Sequence, residues 1–477
     1  MHMRTRAVPP DEVGLLAQYF REAGYYTANS FFTDFQMEIP PTAYDDLSGG
    51  AHWRNRPDKD QPFFMAHHGF VTHESQIYLD DEAFFKATSH VADEDRHDPD
   101  SITLPPYYPD TEVFRKSWAR YLDLITEMDH EVGTFLEQLE EDGLADNTIV
   151  VFWSDHGLGM PRAKRWATES GLREPLIMRW PGKLEAGTSR PEVMQMIDLA
   201  PTMLRAAGIE IPAHMHGTPL FDDEGTDLPA ARYAFGGRDR MDEQLDTVRT
   251  VRDEQFRYVR HLHPDRPHMT HCDYPDKLAT WGEMRRLTFE EAGQLGEGEV
   301  PDKLTPLQRS YVSSAKEPEE LYNIRNDPHE TVNLATDPAH AETLDRLRGA
   351  LDEWSATYPD LGLMPEDELI EMWRPGGKRQ LTAEPVVSVE DGVLTATCET
   401  PGATVGWTTE PPREPLPKPT NFMEMMAQAQ IKGRAWNLLT APVELEGRGQ
   451  VYVGAFRIGF EPSPEVTLGA DQGTLVS

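Results

Sequence analysis

Between positions 118 and 139 the apolar residues fall at three- and four-residue steps: Trp118, Tyr121, Leu122, Ile125, Met128, Val132, Phe135, Leu136 and Leu139. That spacing puts them on one face of a helix. Gly143 stops the helix, and Asp146-Asn147 turns the chain. A short β-branched and aromatic run follows, Thr148-Ile149-Val150-Val151-Phe152-Trp153, which predicts a buried strand. The three pieces make a helix–turn–strand unit of a parallel sheet. At its tip stands Ser154-Asp155-His156-Gly157. Ligands of open α/β sheets sit beyond the carboxyl ends of the strands, so Asp155 and His156 emerge where chemistry is usually placed. A carboxylate beside an imidazole suits a divalent cation. The competing reading of Asp-His-Gly is a plain strand-ending turn.

The same reading places other elements. A helix is expected from Asp11 to Ala23, ended by Gly24, and a strand from Phe63 to Phe70. Ile177 to Trp180 reads as a strand stopped by Pro181-Gly182, and Asp198 as the cap of a helix through Ala207. Thr247 to Arg252 and Gln255 to Arg260 read as a hairpin about Asp253-Glu254. Ala339 to Trp354 is amphipathic, with Leu344, Leu347, Leu351 and Trp354 on one face. After Trp373-Arg-Pro-Gly-Gly-Lys378 the period changes from helical to β-like: Glu384–Val389, Val393–Glu399, Ala403–Thr409 and Gln450–Arg457. The resulting division is 1–225, an α/β domain; 226–375, a smaller subdomain; and 380–477, a small β-sandwich.

Several segments, in order, resemble the sulfatases of the alkaline phosphatase superfamily. They are Glu22-Ala-Gly-Tyr-Tyr-Thr27, Pro62-Phe-Phe-Met65 with Thr72-His73-Glu74-Ser75, and Leu144 through Gly157. Pro161-Arg-Ala-Lys164-Arg-Trp, Gly171 through Gly182, Asp198-Leu-Ala-Pro-Thr202 and Glu320 through His329 continue the match. The nearest subgroup resembles heparan N-sulfatase, and the last segment resembles the small β-sandwich that ends some chitobiases and bacterial sulfatases. The resemblance implies an alkaline-phosphatase-like α/β sandwich with a central, mostly parallel sheet and a smaller C-terminal antiparallel sheet. It implies hydrolysis of sulfate esters or sulfamates, with a sulfated small molecule or glycan as partner. Family members attack sulfur with a formylglycine and bind Ca²⁺, or Mn²⁺ in some relatives. Carried over, Asp155 and His156 match metal ligands, Lys164 a sulfate-contacting cation, and His73 the histidine that contacts sulfate and protonates the leaving group. Arg165, next to Lys164, is the candidate second substrate-binding cation.

The departures are specific. The two cysteines, Cys272 and Cys398, stand in His-Cys-Asp-Tyr and Thr-Cys-Glu-Thr, not in the Cys-x-Pro-Ser-Arg or Cys-x-Ala-x-Arg contexts that give formylglycine. No nucleophile is therefore assigned. The opening Met1-His2-Met3-Arg4-Thr5 resembles the segment just after the nucleophile helix, so the first strand, two metal ligands and the nucleophile are expected to be missing. Phe32 stands where the family often carries a lysine. On this reading the 477 residues do not turn over sulfate esters by the family mechanism.

Composition narrows the partners. With 82 acidic and 45 basic residues the formal charge is −37, which argues against nucleic acid and against anionic membranes. Any sulfate site must be a positive island in an acidic surface. Acidity spread along the whole chain fits a salt-rich habitat. No apolar run approaches the ~20 residues of a membrane span. Met1 to Pro10 lacks the apolar core of a signal peptide, so the sequence on its face reads as cytoplasmic. His261, His263, His268, His271 and Cys272 form a cluster with roughly metal-like spacing, interrupted by Pro264, Asp265 and Pro267; the alternative is a loop at the substrate mouth. Trp407 and Trp436 are read as core residues rather than sugar platforms. Two further readings stay open: a non-catalytic relative that binds sulfated glycans, and a phosphodiesterase or phosphonate hydrolase sharing the Asp-His pair.

Overall fold

The computed structural model describes residues 7–30, 35–241, 243–291, 303–414, 416–418, 420, 424, 427–428 and 431–469. Phe32 and the first five residues, on which the sequence reading had placed departures, lie outside that set. The chain divides into two compact units, each made of separated segments.

One unit holds the chain up to His68, Ile197–Pro219 and Pro365 onward. Helix α1 (Leu16–Glu22) begins five residues later than the periodicity suggested, because Gln18 reaches back to the Leu15 backbone N–H (2.7 Å) and fixes the first turn there. It precedes a three-stranded parallel sheet of order β2-β1-β3: β1 (Tyr26–Ser30), β2 (Asp46–Ser48) and β3 (Phe63–His67). All five residues of β1 are buried, as expected of a central parallel strand. The C-terminal part of this unit has two antiparallel sheets. The first joins Val386–Glu390, Val393–Thr397 and Val443–Glu444, and the second joins Asn437–Leu438, Thr404–Thr408, Val451–Phe456 and Val466–Leu468. Leu394 from one and Trp407, Val451 and Val453 from the other share a core, which makes the pair a small sandwich. Trp407 and Trp436 are both buried, so neither offers a flat sugar-stacking face.

The other unit comprises Gly69–Met196 and Leu220–Met364. After short helices α2 (Glu74–Ile77) and α3 (Asp81–Ala87) comes α4 (Glu112–Glu141), 30 residues long, capped by Thr111. Its end follows the sequence signal: Gly143 takes φ +67° and the Leu144 N–H returns to the Leu139 carbonyl (2.8 Å). Phe114 and Leu124 of α4 pack with Ile77, Phe84, Trp166 and Trp281 in the largest core cluster.

Strand β4 (Val150–Trp153) forms where the apolar run predicted it. Its pairing differs from the expectation. Among the described residues its ladder is antiparallel, to β5 (Leu176–Arg179), with Val150 opposite Arg179. The cause is the loop between them. The Gly157 N–H donates to the Gly171 carbonyl (3.1 Å), which holds the two arms of the loop side by side and returns the chain alongside β4. A parallel return needs a crossover element, and α5 (Glu169–Leu172) is a single turn.

A four-stranded antiparallel sheet completes this unit: β6 (Ala234–Met241), β7 (Gln244–Arg252), β8 (Arg257–His261) and β9 (Glu319–Tyr322), in that order. The hairpin about Asp253-Glu254 is present, closed by Arg252 opposite Arg257. The helix Ala341–Thr357 lays Leu344, Leu347 and Leu351 against Val251, Tyr258 and Leu321 of the sheet. No helix of the described residues is long and apolar enough to cross a membrane.

Candidate functional site

The loop after β4 is shaped by close approach. A Cβ at Gly157 would overlap the Ser170 carbonyl oxygen, and one at Gly159 would overlap Glu74. The loop therefore sits directly on the first turn of α2. Arg162 and Arg165 both take left-handed backbone angles, φ +68° and +81°, conformations that cost on the order of 1–3 kcal/mol each and collect at functional sites. Thr168 and Ser170 hold the loop by donating their hydroxyls to the Arg162 carbonyl, at 2.6 and 2.8 Å.

His73 caps α2: its Nδ1 accepts from the Ser75 N–H (3.3 Å) and lies 2.8 Å from Ser75 Oγ. Its ring stacks on Phe70. The residue after it, Glu74, has a side chain only 1% exposed and receives both cations of the loop. Arg165 donates to it bidentately at 2.7 and 2.6 Å, and Lys164 Nζ stands 3.0 Å away. Those hydrogen bonds and charges hold the Glu74 carboxyl below its ordinary range despite the upward push of burial. Two cations thus converge on one buried carboxylate.

Burial is also the main force on His73, with the Lys164 charge next, and together they drive its pKa down to about 4. His156 and Arg165 act on it in the same direction, and Glu74 opposes them. His156 is likewise pushed down, by burial first and Lys164 second. Both imidazoles are therefore neutral near pH 7. The His156 Nδ1–H donates to the Gly157 carbonyl (2.8 Å), which leaves the Nε2 lone pair free, 3.3 Å from Asp155 Oδ2. That tautomer is the one a metal-binding histidine adopts. Glu174, on the arm leading to β5, has its pKa raised to about 8 by burial and by the nearby Asp155 charge, and its Oε2 has no hydrogen-bond partner.

His73, Lys164, Arg165 and His156 thus share one electrostatic neighbourhood, with Asp155 beside His156. Arg165 is the most committed of them, both guanidinium branches being engaged by Glu74. Sequence reasoning did not assign roles to Glu74 and Glu174, although both stood inside the quoted motifs. Asp155 and His156 by themselves supply one carboxylate and one imidazole, whereas Ca²⁺ takes six to eight oxygen ligands. This pair by itself does not complete a Ca²⁺ site.

The arrangement is that of an α/β protein in which Lys164, Arg165, His73 and His156 come together beyond the end of β4. The sulfatase family model matches residues 2–209, and the model of the N-sulphoglucosamine sulphohydrolase C-terminal region matches 157–266. The chain is 33% identical over 488 residues to an ulvan-active sulfatase of Formosa agariphila, covering 97% of this chain and 77% of that one. It is 28% identical over 285 residues to human N-sulphoglucosamine sulphohydrolase, covering 58% of this chain and 55% of the human one, about half its length. Among solved structures, BT4656 in complex with its substrate D-glucosamine-2-N,6-O-disulfate aligns with TM-score 0.48 at 16% identity, covering 76% of this chain and 86% of that one. The chain belongs to the sulfatase family, whose members are hydrolases of the alkaline-phosphatase-like α/β class.

Proposed function

We propose that this protein acts on a sulfated carbohydrate, as a sulfuric ester or sulfamate hydrolase in which a divalent metal takes part. The observation that carries the reading is identity to an ulvan-active sulfatase along nearly the whole chain. The site chemistry supports it. Lys164, with Arg165 behind it, neutralises a sulfate oxygen; His73 donates a hydrogen bond and takes the leaving-group position; Asp155 and His156 contribute to a metal site, Ca²⁺ by preference and Mn²⁺ otherwise. Charge placed where the sulfate oxygens lie is the largest single contribution such a site makes to rate.

The 477 residues hold neither formylglycine motif. For this chain by itself the reading is therefore recognition of a sulfated sugar without turnover. The test is calorimetric titration with sulfated oligosaccharides and their desulfated counterparts, together with rates on aryl sulfate and aryl phosphate. Binding that depends on sulfate, and that weakens by about 10- to 100-fold in Lys164→Ala, is expected for a charge-assisted contact. Equal affinity for the desulfated sugar would sink the proposal. Turnover of aryl sulfate would reject binding without catalysis, and faster turnover of aryl phosphate would move the protein to the phosphodiesterases.

A further inference from the structure

The histidine cluster that follows β8 resolves into two groups. His271 is exposed and pairs with Asp276 and with Glu243 (3.2 Å), while Cys272 is fully buried elsewhere. His261 and His268 instead meet at a residue 52 positions or more downstream in sequence, Glu320. The sheet explains the meeting. Val259 of β8 lies opposite Glu320 of β9, and His261, two residues on, projects from the same face. The loop then brings His268 back over that face, where its ring stands at 83° to that of His261 with 5.2 Å between centroids.

Glu320 Oε2 lies 3.3 Å from His261 Nε2, and Glu320 Oε1 lies 3.1 Å from His268 Nε2. One ligand atom from each residue fits within a 4.8 Å span. Those separations match the edge of about 3.3 Å expected for a tetrahedron with metal–ligand bonds of about 2.0–2.1 Å. An independent observation concerns His261. Its side chain is 5% exposed, its Nε2 faces the Glu320 carboxylate, and its Nδ1 makes no hydrogen bond. A buried imidazole nitrogen left unsatisfied costs about 1–3 kcal/mol, which a further polar partner in the site offsets. His268 and Glu320 also line a cavity of about 370 Å³, which leaves room for a fourth ligand. The nearby cations are already matched: Lys316 by Asp246 at 2.7 and 2.8 Å, and Arg162 and Arg257 by Glu330.

We infer that His261, His268 and Glu320 form a Zn²⁺ site, separate from the Asp155–His156 pair, with its fourth position open to the cavity. Two imidazoles and one carboxylate suit zinc and exclude Ca²⁺, which requires more oxygen ligands. The site also bears on the loop after β4, because the Trp166 indole N–H donates to the His268 carbonyl (2.8 Å) two residues from Lys164.

The full chain is stripped with a chelator and titrated with Zn²⁺, bound metal being counted by elemental mass spectrometry and calorimetry. Wild type, Asp155→Ala and His268→Ala are compared. One equivalent is expected to persist in Asp155→Ala and to weaken in His268→Ala by more than the roughly 10- to 100-fold cost of losing an outer-shell partner. No Zn²⁺ above background in the wild type overturns the inference, as does an equivalent lost in Asp155→Ala but kept in His268→Ala. Co²⁺ added to the wild type gives a second readout that needs no variant. Strong four-coordinate d–d absorption supports the site, and the weak six-coordinate spectrum counts against it.

Discussion

His73 has a structural role and a proposed chemical one, and they use different ring nitrogens. As the cap of α2 it must offer an acceptor to the Ser75 N–H, which requires Nδ1 to be unprotonated. In the proposed role of leaving-group acid it carries a proton on the other nitrogen. The neutral imidazole protonated on Nε2 meets both demands. In the resting chain the burial of His73 and the Lys164 charge keep it neutral, with a pKa of about 4. The linkage has a definite direction. The folded pKa lies below the unfolded value near 6.5, so the unfolded chain binds more protons between about pH 6.5 and 4, and stability falls as pH drops through that window. In His73→Gln, thermal melts from pH 7 to 4 are expected to show a shallower acid-side decline than wild type. Identical slopes would mean that His73 is not held neutral in the folded chain.

Glu330 shows how elements distant in sequence are tied together, and why the tie is invisible in a linear reading. It sits at φ +54° with its side chain fully buried, just after the Asn323–Asp327 turn. One of its oxygens receives the Arg257 guanidinium from β8. The other accepts from the Glu169 N–H (3.0 Å) at the start of α5 and faces Arg162 in the loop after β4 (3.5 Å). One carboxylate thus links the antiparallel sheet to the loop that carries Lys164. Glu330→Gln keeps the shape but leaves two buried guanidinium groups short of a charge, which is expected to cost about 3–5 kcal/mol. Urea unfolding with an unchanged slope and a lower midpoint would show it. A loss within about 0.5 kcal/mol, as at an ordinary surface position, would show that the hub is not structural. Local periodicity made the strand at Val150, the hairpin at Asp253 and the leucine face of Ala341–Thr357 legible, because each depends on neighbours a few residues away. Strand direction is not written in such a pattern, so the antiparallel pairing of β4 with β5 was not legible. The same holds in the site. Motif order singled out His73, Asp155, His156, Lys164 and Arg165, but the partnership of Glu74 with residues about ninety positions away depends on packing. So does the meeting of Glu320 with His261 and His268.

A formal charge of −37 sets a conflict between the protein and its proposed substrate. Both are polyanionic, and the positive cluster around Glu74 is too small to dominate the field beyond a few ångströms in dilute buffer. Many of the ion pairs lie at the surface, such as Lys183 with Glu224 and Arg260 with Asp352, and pairs of that kind contribute about 0–1 kcal/mol each. They are weakened by salt, yet there are 82 acidic residues for 45 basic ones, so repulsion among the unmatched carboxylates outnumbers what screening removes. The screening length falls from about 10 Å at 0.1 M salt to about 3 Å at 1 M. Repulsion acts between many distant groups and fades over that range, whereas contacts within buried pairs such as Lys316–Asp246 persist. Net charge this far from zero destabilises the compact state, and salt should relieve it. The melting temperature is therefore expected to rise by several degrees between 0.1 and 1 M NaCl, and to rise less in sucrose of equal osmotic strength, which stabilises without screening. A flat or falling curve in NaCl would show that the acidic surface carries no net self-repulsion, and would remove the physical ground for assigning the protein to a salt-rich habitat.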